Sequence, residues 1–460
     1  MQPSANPNAN AAERPNVIVF FTDQQRWDTT GLHGNPLGLT PNFDRMAREG
    51  THLEYAFTCQ PVCAPARSSL QTGLYATETG CYRNGIPLPE ELPTLADYYN
   101  EAGYDTGYIG KWHLAVTRDR PGPPNLRGRY RYWLAADSLE HTSDAYDTTV
   151  YDNDGRPVKL PGYRVDALTD AAIRYVAAPR DNPFFLFLSF LEPHHQNHRD
   201  DYPAPDVYRD AYTSRWTPPD LAALTGTAPQ HLGGYYGMVK RLDEALGRIM
   251  DALRSLGLKR NTIVLFASDH GSHFKTRNGE YKRSCHESSI RIPCAIGGPG
   301  FDGGGRIDRL VSLVDLVPTL LEASGIEVPE RMQGKSIVPL VRRQPSDWND
   351  EVFVQISESQ VGRAIRTKRW KYAVHAPDRD PIRDSHSLRY EEQFLYDLAA
   401  DPYELTNLAG FRSHREIADR LRERLIRRIV EAGEPEPVIA EAPPVEPGQR
   451  YLREGEELWS

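Results

Sequence analysis

The sequence predicts an α/β protein: a large, mainly parallel mixed sheet sandwiched by helices, followed by a small C-terminal α+β subdomain with an antiparallel sheet. Three observations point there. Residues 16–21 (Asn-Val-Ile-Val-Phe-Phe), 184–190 (Phe-Phe-Leu-Phe-Leu-Ser-Phe) and 262–267 (Thr-Ile-Val-Leu-Phe-Ala) are continuous apolar runs, the pattern of strands buried on both faces. Val239, Leu242, Leu246, Ile249, Leu253 and Leu256 recur at three- and four-residue spacing, which gives a long amphipathic helix running directly into the strand at Thr262. Beyond residue 349, short alternating runs at 352–356 and 369–374 have the two-residue period of antiparallel strands.

Taken in order, residues 1–15 have neither a basic n-region nor an apolar h-region and read as a disordered leader. On that reading the chain stays in the cytoplasm; a signal already trimmed would make it periplasmic or secreted. The main α/β domain is placed at 16–345. Its first strand ends in Thr22-Asp23-Gln24 and the strand at 262 ends in Ser268-Asp269-His270-Gly271, so two buried strands finish in the same polar chemistry. In open α/β sheets ligands bind beyond the carboxyl ends of the strands, where these two ends could meet. Thr40-Pro41 offers an N-cap and first helical position, with Phe43, Met46 and Ala47 as the apolar face and Gly50 as the stop. Residues 346–432 form the antiparallel subdomain, and 433–460, rich in Pro and Glu, an extended tail that leaves a homo-oligomer open.

Composition excludes several classes of function. With 39% hydrophobic and 25% charged residues and no apolar run long enough to span a bilayer, membrane insertion is not expected. A net charge of -9 argues against an electrostatic nucleic-acid binder, so an anionic substrate must be held by local basic groups. Five scattered cysteines without a Cys-x-x-Cys pair do not make a disulfide framework.

The chemistry concentrates in few places. Asp23, Gln24, Asp269 and His270 put carboxylates where apolar strands finish, which suits a hard divalent cation; either pair alone would also pass for ordinary strand-to-loop residues. Basic candidates are Arg67, Lys111, His113, Lys282 and His194. Cys63 opens a short helix at residues 63–73, beside the positive end of its dipole and one turn before Arg67, a place for negative charge.

The string Cys63-Ala64-Pro65-Ala66-Arg67 followed by Ser68-Ser69-Leu70-Gln71-Thr72-Gly73 resembles the signature of the type I, formylglycine-dependent sulfatases of the alkaline phosphatase superfamily. The resemblance continues through Thr40-Pro41-Asn42-Phe43-Asp44, Gly110-Lys111-Trp112-His113, Ser268-Asp269-His270-Gly271 and Asp315-Leu316-Val317-Pro318-Thr319, and spans residues 16–409. It implies a sulfuric ester hydrolase acting on a carbohydrate sulfate, with Cys63 converted to formylglycine by a separate maturation enzyme. Asp23, Gln24, Cys63, Asp269 and His270 would hold one divalent metal, Ca2+ before Mn2+ or Mg2+. Arg67 would steady the formylglycine diol, His113 would take its second proton, Lys111 and Lys282 would bind sulfate, and His194 or Lys282 would assist the leaving oxygen.

Two features depart from the common pattern. Gln24 and His270 stand where many members have Asp and Asn, as in the choline sulfatase and phosphonate monoester hydrolase branches, which makes phosphonate monoester or phosphodiester hydrolysis the alternative. A non-catalytic saccharide-binding relative is disfavoured because every matched catalytic position is occupied. The stretch His194-His195-Gln196 lacks a proline found two residues after this His in relatives, and His194 is preferred to His195 as the acid. For substrate binding, His273, Arg277 and His286 are the candidates, Arg277 facing a carboxylate or second sulfate.

Overall fold

The computed structural model describes residues 14–348 and 350–445. Its larger sheet contains β1 (Asn16–Thr22), β2 (Thr51–Phe57), β3 (Asp105–Lys111), β4 (Tyr132–Ala136), β5 (Thr148–Tyr151), β6 (Pro157–Leu160), β7 (Phe184–Ser189), β8 (Thr262–Ser268), β9 (Arg291–Ile292), β10 (Ala295–Gly297) and β11 (Gly305–Ser312). The order is β11-β2-β10-β8-β1-β7-β3-β4-β5-β6, with β9 on β2. The three apolar runs read from the sequence lie side by side at its centre: β1 pairs in parallel with β7 on one edge and β8 on the other, Val17 standing opposite both Phe185 and Ile263. The sheet is mixed: the short β10 runs antiparallel between β8 and β2, β9 antiparallel to β2, and β5 antiparallel to both β4 and β6 at the far edge.

Alternation along β1 explains why the run is apolar throughout. Ile18 and Phe20 face one layer with the helices Pro41–Glu49, Arg164–Ala177 and Ala228–Ser255, whereas Val17, Val19 and Phe21 face the other, with the helices Cys63–Thr72, Leu95–Glu101 and Leu316–Ala323. A strand covered on both faces has no polar side to show. The long helix Ala228–Ser255 buries Val239, Leu242, Leu246, Ile249 and Leu253. Thr40 departs from the expected cap: its hydroxyl accepts from the Gly31 N–H at 3.1 Å and makes no bond to the helix N–H groups, while Pro41 and Gly50 take the expected first and terminal places.

The second sheet is β12 (Glu351–Ile356), β13 (Gly362–Thr367), β14 (Trp370–His375), β15 (Arg389–Asp397) and β16 (Val438–Ala440), in that order. The first four are antiparallel, and the helix Arg415–Glu431 covers them through Ala418, Leu421, Leu425 and Ile429. Val352, Val354 and Ile356 pack on Phe57, Ile290 and Leu310 of the larger domain, so the two sheets share a core seam. Of the extended tail expected at 433–460, residues 433–445 are described. Its strand β16 joins β15 in parallel, Tyr390 opposite Ile439, while residues 446–460 lie outside the described part. Residues 1–13 of the expected leader lie outside it too.

The tail is fixed by charge as well as pairing. Glu434, 6% exposed, pairs with the buried Arg363 at 2.8 Å and accepts from Gln355 Nε2 at 2.6 Å and Thr77 Oγ1 at 3.1 Å. Removing one partner of a buried pair strands the other. Glu434→Ala should therefore lower the free energy of unfolding by about 3–5 kcal/mol in denaturant titrations, and Glu434→Gln by less. Equal stability of Glu434→Ala and the parent would show that the tail is not held there.

Candidate active site and metal centre

The register of β1 and β8 builds the centre. Thr22 stands opposite Ser268, so the next residues, Asp23 and Asp269, leave the carboxyl edge together; the Asp269 N–H donates to Thr22 O at 3.2 Å and the Gln24 N–H to Asp269 Oδ1 at 2.9 Å. Gln24 holds a left-handed φ of 66°, turning the chain away sharply after Asp23. Cys63 is the first residue of its helix, 1% exposed, with Sγ 3.6 Å from Asp23 Oδ1 and 3.4 Å from His270 Nε2.

Four potential ligand atoms, one each from Asp23, Cys63, Asp269 and His270, lie within 4.8 Å of one another and are all buried. The tautomer of His270 follows from its other contact: Nδ1 meets the Gly271 carbonyl at 2.9 Å, an acceptor only, so Nδ1 carries the hydrogen and Nε2 keeps its lone pair for the centre. Gln24 donates from Nε2 to Tyr202 Oη at 3.2 Å, leaving Oε1 buried with no hydrogen-bond partner among the described residues. Burial and the neighbouring Asp23 carboxylate push Asp269 up to about 7. Burial would also raise Asp23, but Lys111, His194 and Arg67 hold it far below the ordinary carboxylate range. Two carboxylates, an orphaned amide oxygen and an imidazole lone pair fit a divalent cation.

The cationic groups enclose residue 63. Lys111, the last residue of β3, places Nζ 2.9 Å from Asp23 Oδ2, 3.3 Å from Glu140 Oε1 and 3.9 Å from Cys63 Sγ. Lys282 Nζ lies 2.9 Å from Cys63 Sγ and 3.2 Å from His194 Nε2. Burial alone would push the Cys63 thiol up; Lys111, Lys282 and His270 outweigh it and hold the group well below its usual range. Residue 63 is thus a site for negative charge. His113 has a φ of 64° and is anchored by its N–H to Asp137 O at 2.7 Å.

His194 and not His195 faces this centre. Its Nδ1 meets the His195 carbonyl at 2.6 Å, so Nδ1 is the donor and Nε2 accepts from Lys282. Burial and Lys282 lower its pKa. The His195 ring is stacked between His194 and Tyr281, at 4.3 and 4.5 Å.

Several expectations change. Arg67 reaches past residue 63 to neutralise Asp23 at 2.9 Å and Asp269 at 3.4 Å, and its other nitrogen donates to Lys111 O and Ser189 Oγ, tying β3 and β7 to the centre. The three substrate-binding candidates take structural places. His273 is fully buried with Nε2 on Lys282 O at 2.9 Å, where it fixes the Lys282 backbone. His286 is buried between Ser284 and Tyr396, and Arg277 donates to the carbonyls of Tyr403 and Glu404, so both join the two domains. Each side chain already has partners of the kind a saccharide would offer.

Glu140, Asp137, Ser189 and Tyr202 were not singled out in the sequence. Asp137 and Ser189 stand at the carboxyl ends of β4 and β7, the same positional signal that marks Asp23 and Asp269. Glu140 and Tyr202 carry no such mark. A cavity of about 610 Å3 adjoins the centre without containing its catalytic candidates; Tyr202 lines it together with Asp144, Tyr146, Arg199 and His231.

Comparison with known proteins agrees with this arrangement. Residues 15–326 match the family model described as sulfatase, and residues 279–431 match the C-terminal model of N-sulphoglucosamine sulphohydrolase. A relative named ulvan-active sulfatase, from Formosa agariphila, is 31% identical over 92% of this chain and 82% of its own. One named N-acetylglucosamine-6-O-sulfatase, from Bacteroides thetaiotaomicron, is 24% identical over 88% and 84%. The solved structure of yidJ from Bacteroides fragilis superposes with a TM-score of 0.79, at 25% identity, over 94% of this chain and 98% of that one. With the strand-end carboxylates, the helix-borne Cys63 and its two lysines in one buried centre, and two thirds of the chain matched by one family model, the protein belongs to the sulfatase family.

Proposed function

We propose that the enzyme hydrolyses a carbohydrate sulfate ester, using formylglycine made from Cys63 and one bound divalent cation. The observation that carries this reading is the position of Cys63: the first residue of a helix, between the ligand set of Asp23, Asp269 and His270 and the amines of Lys111 and Lys282. A carbohydrate is supported by relatives named for ulvan and for N-acetylglucosamine 6-sulfate. The adjoining cavity, with an exposed Tyr146 ring, offers room for sugar beyond the esterified unit.

Asp23, Gln24, Asp269, His270 and residue 63 would hold the cation. Their oxygens favour Ca2+, while the His270 nitrogen brings Mn2+ into contention. When bound, the cation lowers the pKa of an oxygen at residue 63 and offsets charge gathering on the sulfuryl group. Lys111 and Lys282 bind sulfuryl oxygens. As the bond from sulfur to the sugar oxygen breaks, that oxygen needs a proton, and the Lys282–His194 pair supplies it. Because Nε2 of His194 accepts from Lys282, Lys282 is the donor at that moment and His194 orients it. His113, held by its N–H on the Asp137 carbonyl, takes a proton at residue 63 when sulfate departs.

Three measurements test this. Mass analysis of the residue 63 peptide, after expression with a formylglycine-generating enzyme, should show aldehyde in place of thiol, and Cys63→Ala should have no sulfatase activity; activity with the thiol intact refutes the nucleophile. Chelation should abolish turnover of nitrophenyl sulfate and lower the melting temperature, because the Asp23–Asp269 repulsion returns, and Ca2+ should restore both. Lys282→Ala and His194→Ala should cut turnover of a sugar sulfate by on the order of a hundredfold, and of nitrophenyl sulfate, whose leaving group needs no proton, far less. Equal losses on both substrates would remove the pair from leaving-group protonation. An aryl phosphonate monoester assayed in parallel separates the alternative hydrolase activity.

A further inference from the structure

An ammonium has three N–H bonds. Those of Lys111 meet Asp23 at 2.9 Å, Glu140 at 3.3 Å and Cys63 Sγ at 3.9 Å. Asp23 already supplies this lysine with a counter-charge and belongs to the metal set; Glu140 does not. It is a second carboxylate, 5% exposed, separated from residue 63 by one ammonium group. Burial would raise its pKa, but Lys111, His113 and His194 hold it down to about 2, so it carries charge at any working pH. Its place is fixed from the backbone: it sits in the short helix Leu139–Thr142 after β4, and its carbonyl accepts from Gln196 Nε2 at 2.9 Å, two residues beyond His194. Its Oε2 is buried without a partner among the described residues.

A fixed negative charge beside an anion-binding lysine is a cost to binding, and its size depends on the charge of the anion. A sulfate ester carries one negative charge. A phosphate monoester, with a second pKa near 6, carries close to two at neutral pH, whereas a phosphonate monoester carries one. We propose that Glu140 is a specificity-determining residue that turns the site against dianionic phosphate monoesters while admitting monoanionic esters of sulfur or phosphorus. This rests on the sulfate ester reading above, and it separates substrates by charge, leaving the identity of the central atom to other groups.

The test compares the parent, Glu140→Gln and Glu140→Asp on nitrophenyl sulfate, nitrophenyl phosphate and an aryl phosphonate monoester at pH 8. Gln keeps an acceptor for Lys111 and removes the charge; Asp keeps the charge. Glu140→Gln should raise kcat/KM for phosphate relative to sulfate by on the order of tenfold or more, leave the phosphonate-to-sulfate ratio unchanged, and Glu140→Asp should restore the parental ratios. Dissociation constants of the same three compounds in a Cys63→Ala background, which does not turn over, should shift in the same sense. The proposal is overturned if all three substrates lose activity in proportion, as a purely structural role would give, or if phosphate and phosphonate gain together. Absence of sulfate turnover in the parent would count against the functional reading alone, since the binding ratios still report on Glu140.

Discussion

Everything in this structure is organised around two carboxylates that parallel pairing forces together. Because β1 and β8 run in the same direction in register, Asp23 and Asp269 emerge from a dry sheet as neighbours, and burial together with their mutual repulsion raises Asp269 to about 7. Like charges this close and this buried persist only if cations are built around them. Arg67 and Lys111 do part of that work from a helix and from the end of β3, and the remaining deficit is what a divalent ion would fill. The strand order, the helix that carries Cys63 and the loop that delivers Lys282 all serve this balance.

The same balance explains why the neighbouring side chains are oriented as they are. His270 gives its ring hydrogen to Gly271 and His194 gives its own to His195, so both imidazoles present lone pairs inward, one to the metal set and one to Lys282. Backbone carbonyls thereby fix two tautomers without spending any further charged group. His273 does comparable work one step further out by holding the Lys282 carbonyl.

Much of this was legible in the sequence, and the reasons differ by element. The three central strands were readable because burial on both faces leaves an uninterrupted apolar run, and the site residues at the ends of two of them because motif and strand end coincide at Asp23 and Asp269. The short strand β10 was not, since three residues between two longer strands have no period to detect. The place of the tail was not readable because its partners are distant in sequence: Arg363, Gln355 and Thr77 around Glu434, and β15 beside β16. His273 and His286 misled for a related reason: a His among basic residues looks like a ligand-binding group until its partners, Lys282 O and Tyr396, are seen. Glu140 left no trace because its significance lies in a contact across 29 residues.

The depth of Cys63 sets a clock on access to its thiol. Lys282, whose amine closes over the thiol, lies 219 residues further along the chain, and the folded residue is 1% exposed. At ribosomal rates of roughly 5–20 residues per second, the thiol spends on the order of ten to forty seconds as part of an unfinished site before its lid has been synthesised. Under the formylglycine chemistry proposed above, an enzyme oxidising this side chain would compete with the advance of translation, and slower synthesis between the two positions would lengthen its opportunity.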